Sequence, residues 1–268
     1  MRRGLGPIRG MRLIWWRRAV SVPKIDMSFA IRLLLAAWIG GFLLFRLVPE
    51  LDLGTAGLFY RAGEGFTVIT NPLWEWLRQR IWDISIVLFV VSLVAWPWAG
   101  LRHRTVLRLP ARIWAFICLL YLLGPIVVVN GVLKANSGRA RPANVDLFGG
   151  AHHFSLPGTF TNQCSRNCSF VSGEVAAAVA LGLLIWLGAE LWRAHLPRWG
   201  VLYLRAVGVF VAVFIIVQRI GTGRHFLSDT YFAGLVSLTV AWLLWGILFA
   251  GWGARLVAQV RGEARRES

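Results

Sequence analysis

The fold class this sequence predicts is an all-helical integral membrane protein with six transmembrane helices, and three observations predict it. Of 268 residues 57% are hydrophobic and only 15% are charged, too little polar surface for a soluble domain of this length. Six apolar windows long enough to cross a bilayer follow one another, near 28–48, 81–100, 113–133, 174–192, 203–220 and 229–250. Tryptophans such as Trp15, Trp16, Trp82, Trp96, Trp98, Trp192 and Trp252 stand at the ends of apolar runs, where an amphipathic ring settles at headgroup level.

The first window follows a basic lead-in that reaches Lys24. It is longer than the apolar part of a secretion signal and no small-residue cleavage pattern follows it, so it reads as a retained helix. Arg32 near its start can extend to the membrane surface. Each window holds Gly or Ala for close helix packing. Segment 50–80, with Trp74 and Trp76, reads either as a short interfacial helix or as an ordinary loop. Loop 143–170 is long and carries Gly149-Gly150 and Pro157-Gly158 turns, which suits a lid or a headgroup-recognition element. The expected organisation is a basic cytoplasmic segment 1–26, one six-span domain over 27–254 with its working bundle at about 113–250, and a cytoplasmic tail 255–268.

The formal charge is +17, but the basic residues do not form one face, so no nucleic acid is implied. They alternate along the chain. Arg2, Arg3, Arg9, Arg12, Arg17, Arg18 and Lys24 precede the first window. Arg102, Arg104, Arg108 and Arg112 follow the second, Arg193, Arg198 and Arg205 lie between the fourth and fifth, and Arg255, Arg261, Arg265 and Arg266 end the chain. Positively charged loops stay in the cytoplasm, which places both termini inside. These clusters also suit anionic bilayer lipids.

Polar groups at the rim of a membrane span are costly unless paired or functional, and three such groups fall on the opposite, non-cytoplasmic side. They are Lys134 to Pro142, Ser169 to Glu174, and Gln218 to Asp229. Together they supply Lys134, Arg141 and Arg219 as cations, Ser172 and Gly173 at a helix start, and a His225–Asp229 pair four residues apart. Guanidinium forks and an ammonium hold phosphate oxygens and stabilise charge spreading over them in a phosphoryl-transfer transition state. Backbone N–H groups at a helix N-terminus add donors. Asp229 is expected to accept the proton of one His225 ring nitrogen and so present the other to phosphorus.

These residues resemble the motifs of the type 2 phosphatidic acid phosphatase family, which shares its site with vanadium haloperoxidases. That family carries Lys-x6-Arg-Pro, then Pro-Ser-Gly-His, then Ser-Arg-x5-His-x3-Asp. Lys134 to Arg141-Pro142 matches the first at full spacing, Ser172-Gly173 the middle of the second, and Arg219, His225 and Asp229 the third. Val171 stands for the Pro of the second motif, Glu174 for its His, and Gln218 for the Ser of the third. The resemblance covers roughly 113–250 and implies a helical bundle that dephosphorylates a lipid through a phospho-histidine on His225. Lys134, Arg141, Ser172, Gly173 and Arg219 would hold the phosphate, and Glu174 would stand where the family protonates the leaving alcohol. His152 and His153 are alternative donors.

The string Asn167 to Glu174 is similar to a branch that includes bacterial lipid A phosphatases. The expected substrate is therefore a phosphorylated membrane lipid, lipid A first, with undecaprenyl pyrophosphate and phosphatidylglycerophosphate or phosphatidic acid as alternatives. The expected setting is the bacterial inner membrane with the site on its periplasmic face. No cofactor, metal or protein partner is implied, because fixed cations do the work of Mg²⁺ and no carboxylate–histidine cluster offers ligands. Cys164 and Cys168 are expected to form a disulfide if their loop faces an oxidising compartment. Cys118, inside an apolar run, reads as inert. Two readings from other classes are an anion transporter using the same basic cup and a phospholipid-binding protein without turnover.

Overall fold

Helix α1, Met27–Leu47, begins where Asp26 caps it, its carboxylate accepting hydrogen bonds from the N–H groups of Ser28 (3.0 Å) and Phe29 (2.9 Å). The computed structural model describes residues 22–255. Most of segment 1–26 and of the tail after Arg255, and with them most of the arginines that orient the two termini, lie outside the described residues.

A short helix, α2 (Glu50–Gly57), follows at once. After a turn-rich stretch, α3 runs unbroken from Pro72 to Leu101. Its start is set by Asn71, whose side chain accepts from the Trp74 N–H at 3.0 Å, and by Pro72 at the first helical position. Segment 50–80 is thus neither one interfacial helix nor one loop: its last nine residues open the second span. Glu75, Arg78, Arg80 and Asp83 depress the hydropathy there, but they pair with one another and the helix tolerates them. Thirty residues rise about 45 Å, more than the roughly 30 Å apolar core of a bilayer, so α3 carries polar turns beyond it.

The third span changes character midway. It is α-helical as α4 (Ala111–Tyr121), widens to a π-helix over Leu122–Leu133, and closes with the single turn α5 (Lys134–Asn136). Pro125, which has no N–H to donate, lies in the widened stretch, and its carbonyl accepts a hydrogen bond from Asn130 Nδ2 at 2.8 Å. Three further helices follow: α6 (Gly173–Leu191), α7 (Arg198–Gly221) and α8 (Leu227–Leu248).

Six of these segments are long and apolar enough to cross a membrane, so the fold is all-helical with six spans, as the composition predicts. Helix α6 is the most enclosed, with Val175, Ala176 and Ala180 fully buried. It crosses α7 so closely that Gly182 and Gly208 leave no room for side chains between them. Helix α1 lies on α8, tied by Trp38 Nε1 to Thr239 Oγ1 (3.0 Å) and Tyr231 OH to the Ala37 carbonyl (2.9 Å). Its Leu33, Leu35, Ile39 and Leu43 face outward, as lipid contacts do.

The up-and-down path gathers segments 48–71, 137–172 and 222–226 at one end of the bundle and the arginine-rich turns 102–110 and 192–197 at the other. Loop 137–172 is a packed structure. Its Ala140 and Val145 form a small second core with Ala56 of α2 and Phe226, against Phe66, Phe148 and Phe154. Gly138, with φ +63°, lies against the Thr161 carbonyl where a Cβ has no space.

Candidate active site

The turn between α7 and α8 presents His225. Thr222 Oγ1 donates to the Gln218 carbonyl at 2.7 Å, and Gly223, with φ +64°, lets the chain reverse against the Phe66 ring. Arg224 and His225 both donate their backbone N–H to the Arg219 carbonyl, at 3.1 and 3.2 Å. Helix α8 then starts with the Asp229 carboxylate accepting from the Phe226 N–H at 2.8 Å. His225 ends up 3% exposed at the end of the bundle opposite the arginine-rich turns.

The His225 ring is oriented by a carbonyl. Its Nδ1 lies 2.7 Å from the oxygen of Ser169 and 3.9 Å from Asp229 Oδ2. A carbonyl can only accept, so Nδ1 carries the proton and Nε2 keeps its lone pair. The expected direct bond from Asp229 is replaced because its oxygens are taken. Oδ2 accepts from Ser169 Oγ (2.6 Å) and the Phe226 N–H, and Oδ1 accepts from Arg139 Nη1 (2.6 Å). Asp229 reaches the ring through Ser169.

Burial holds the His225 ring well below the ordinary histidine range, and the charges of Lys134, Arg141 and Arg219 push it further; the Ser169 carbonyl opposes them. The three cations named from the sequence are therefore near the imidazole. Lys134 and Arg141 are half-buried. Arg141 donates through Nη2 to the Asn167 carbonyl at 2.8 Å, and burial followed by the neighbouring Arg224 lowers its own proton affinity.

Arg219 is engaged through both of its terminal nitrogens, Nη2 donating to Thr222 Oγ1 at 3.4 Å. Its Nη1 donates to Glu174 Oε1 at 2.6 Å, and its buried Nε has no partner among the described residues. Glu174 is shared: its Oε2 accepts from Arg78 Nη1 at 2.8 Å. Arg78 is in turn held by Glu75, 3.0 Å from each carboxylate oxygen to Nε. Gln218 is buried beside them, its Nε2 donating to Glu75 Oε2 at 3.4 Å. Ser172 caps α6, its hydroxyl accepting from the Val175 N–H. Gly173 lies so close to the Asn130 amide that an added Cβ would come within 2.7 Å of its oxygen.

Four contributors have no assigned role in the sequence reading of the site: the Ser169 carbonyl and hydroxyl, Arg139, Asp52 and Arg78. Arg139 is 1% exposed, joins Asp229 to Asp52 of α2, and lies over the Phe226 ring at 4.5 Å. The Lys-x6-Arg stretch contains it at an unspecified position, and that is its only signal. Cys164 and Cys168 are joined by a disulfide, Cα to Cα 5.6 Å, and flank the Asn167 carbonyl that holds Arg141. Of the two loop histidines, His153 pairs with Asp146 on the exposed surface at 2.8 Å.

Comparison with known proteins gives the family. Residues 113–252 match the PAP2 superfamily, a stretch that contains every cation of the site except Arg78. The chain is 30% identical over 247 residues to a lipid A 4'-phosphatase of Rhizobium etli, covering 84% of this chain and 90% of that one. It is 27% identical over 225 residues to a lipid A 4'-phosphatase of Francisella tularensis subsp. novicida, covering 80% and 91%. Against a lipid A 4'-phosphatase of Rhizobium leguminosarum the identity is 39% over 119 residues, 44% of this chain and 48% of that one. A solved PAP2-type phosphatidylglycerolphosphate phosphatase from Bacillus subtilis aligns at 21% identity with a TM-score of 0.47, over 81% of this chain and 94% of that one.

Proposed function

The chain belongs to the PAP2 superfamily and is a membrane lipid phosphatase, and from that premise we propose that it removes phosphate from lipid A at the periplasmic face of a bacterial inner membrane through phospho-His225. Two relatives that the chain spans almost end to end are lipid A 4'-phosphatases, which favours that substrate over other phosphorylated lipids. The periplasmic side is supported by the site lying at the end opposite the arginine-rich turns.

The observation that carries the chemistry is the fixed tautomer of His225. With Nδ1–H on the Ser169 carbonyl, Nε2 offers its lone pair into a ring of cations. The lipid presents its phosphate to Lys134, Arg141 and Arg219, with the N-terminus of α6 at Ser172 and Gly173 adding backbone donors. Nε2 attacks phosphorus in line, the N–P bond forms, and the P–O bond to the lipid breaks. The ring becomes cationic while Nδ1 keeps its proton. Water then attacks phosphorus, the N–P bond breaks, and phosphate leaves.

Glu174 stands where the family has its leaving-group acid. In the resting site its two oxygens accept from Arg78 and Arg219. When a phosphate dianion draws Arg219 to itself, Glu174 is left beside a growing negative charge and takes a proton from solvent. It gives that proton to the leaving oxygen and recovers one from the attacking water.

The test is to quench turnover of phosphate-labelled lipid A. Acid-labile label on His225 is expected in the native protein and none in His225→Ala. Label-free native protein during steady turnover would overturn the phospho-histidine, and turnover of phosphatidic acid without lipid A would overturn the substrate.

A further inference from the structure

Helix α2 belongs to the half of the chain without phosphate-site motifs, yet one of its side chains reaches into the site. We infer that Asp52 is a positioning residue for the His225–Asp229 pair and supplies part of the negative charge that favours the cationic phospho-imidazole; this rests on His225 as the phosphate carrier.

Asp52 is fully buried and its hydrogen bonds are all directed at the start of α8 and its partner arginine. Oδ1 accepts from the Ser228 N–H at 2.7 Å, and Oδ2 accepts from Ser228 Oγ at 2.5 Å and from Arg139 Nη2 at 2.9 Å. Arg139 passes the constraint on: its Nη1 donates to Asp229 Oδ1 at 2.6 Å and to Ser228 Oγ at 2.8 Å, and its Nε donates to the Ser155 carbonyl at 2.9 Å. Asp229 in turn holds Ser169, whose carbonyl holds the His225 ring. The chain of bonds from Asp52 to the imidazole has no water-exposed link.

The charge count gives this network a second effect. Two carboxylates surround one guanidinium, so the buried group is net negative. The charges of Lys134, Arg141 and Arg219 act against a proton on His225, and Glu174 pairs with Arg219. Phosphorylation turns a neutral ring into a cation in that setting. The Asp52–Arg139–Asp229 group brings carboxylate charge up to the ring, with Asp229 Oδ2 3.9 Å from Nδ1. A buried charge acts strongly because little water screens it. Burying a second carboxylate is costly, and its use here is to leave that negative excess next to the ring.

The experiment is the pH dependence of kcat/KM for the full-length protein in detergent micelles or nanodiscs, with lipid A as substrate. Asp52→Asn removes the charge and mispairs Ser228 or Arg139. The expected result is a fall in kcat of roughly ten- to a hundredfold through misplacement of the ring, with KM within about twofold. The acidic limb, which reports protonation of His225, should move to lower pH, because a cation is harder to form without the Asp52 charge. Asp52→Glu keeps the charge but not the reach: kcat should fall with the limb in its native place, which keeps the test readable if the asparagine variant folds poorly. An unmoved limb in Asp52→Asn, or a KM that rises in step with the fall in kcat, would overturn the inference. Loss of labelled His225 in the native protein would instead sink the phospho-histidine and leave the limb shift measurable.

Discussion

The carbonyl oxygen of Ser169 lies 2.7 Å from Nδ1 of His225. A neutral acceptor in that position fixes which nitrogen is free but adds no charge, so burial first and the surrounding cations second set the titration of the ring. His225 is held well below the ordinary histidine range by burial, then by Lys134, Arg141 and Arg219.

The sign of the pH effect follows from that depression. The neutral ring is the attacking form, so kcat/KM should stay level as pH falls through the range where an exposed histidine titrates, and drop only in more acid solution. Between the two values the unfolded chain binds a proton that the folded chain refuses. Stability should therefore fall as pH drops below the ordinary value of about 6.5. His225→Asn should abolish turnover and flatten that stability loss in a thermal melt. A kcat/KM limb at or above the ordinary histidine value would contradict the arrangement.

Glu174 lies between Arg78 and Arg219, at the position of the leaving-group acid. Glu174→Gln should lower turnover of lipid A by about a hundred- to ten-thousandfold, the range for a lost general acid. Turnover at the native rate in the glutamine variant would mean that another group is the donor.

The spans are legible because 20-residue apolar windows are a property of composition, and the cations and His225 because their spacing is a property of order. What the sequence hides is what depends on distance. Asp52 and Arg139 are 87 residues apart and Arg78 and Glu174 are 96 apart, so neither member of either pair marks the other. Ser169 acts on His225 through its backbone, a group every residue has. The early start of α3 is masked by Glu75 and Arg78, which look costly in a membrane until they are seen to bind each other. Asp229 lies on the face of His225, as its spacing predicts, but its oxygens are committed elsewhere, which no spacing reveals.

The Cys164–Cys168 disulfide closes the loop whose Asn167 carbonyl holds Arg141. Reduction should leave the helices intact and loosen that arginine. The expected outcome is a rise of several-fold in KM for lipid A with little change in kcat, matched by Cys164→Ser/Cys168→Ser and unaffected by Cys118→Ser, since Cys118 is buried and outside any disulfide. An unchanged KM on full reduction would show that Arg141 is held well enough without the bridge.

The crossing of α6 and α7 carries both Glu174 and Arg219 on its two helices, and it depends on two glycines facing each other. A Cβ on Gly182 would come within 2.5 Å of the Gly208 carbonyl oxygen, and one on Gly208 within 2.7 Å of the Gly182 oxygen. Both obstacles are backbone, so neither can swing aside, and the helices must separate. Gly182→Ala should cost about 1–3 kcal/mol of stability, the usual penalty for overpacking. It should also weaken turnover by pulling Glu174 from Arg219. A Cβ on Gly40 of α1 would meet nothing within 4 Å, and replacing a helical glycine with alanine favours the helix by roughly 0.8–1 kcal/mol. Gly40→Ala should therefore leave activity alone and hold or raise the melting temperature. If both variants melted alike, close contact between α6 and α7 would not be what brings Glu174 and Arg219 together.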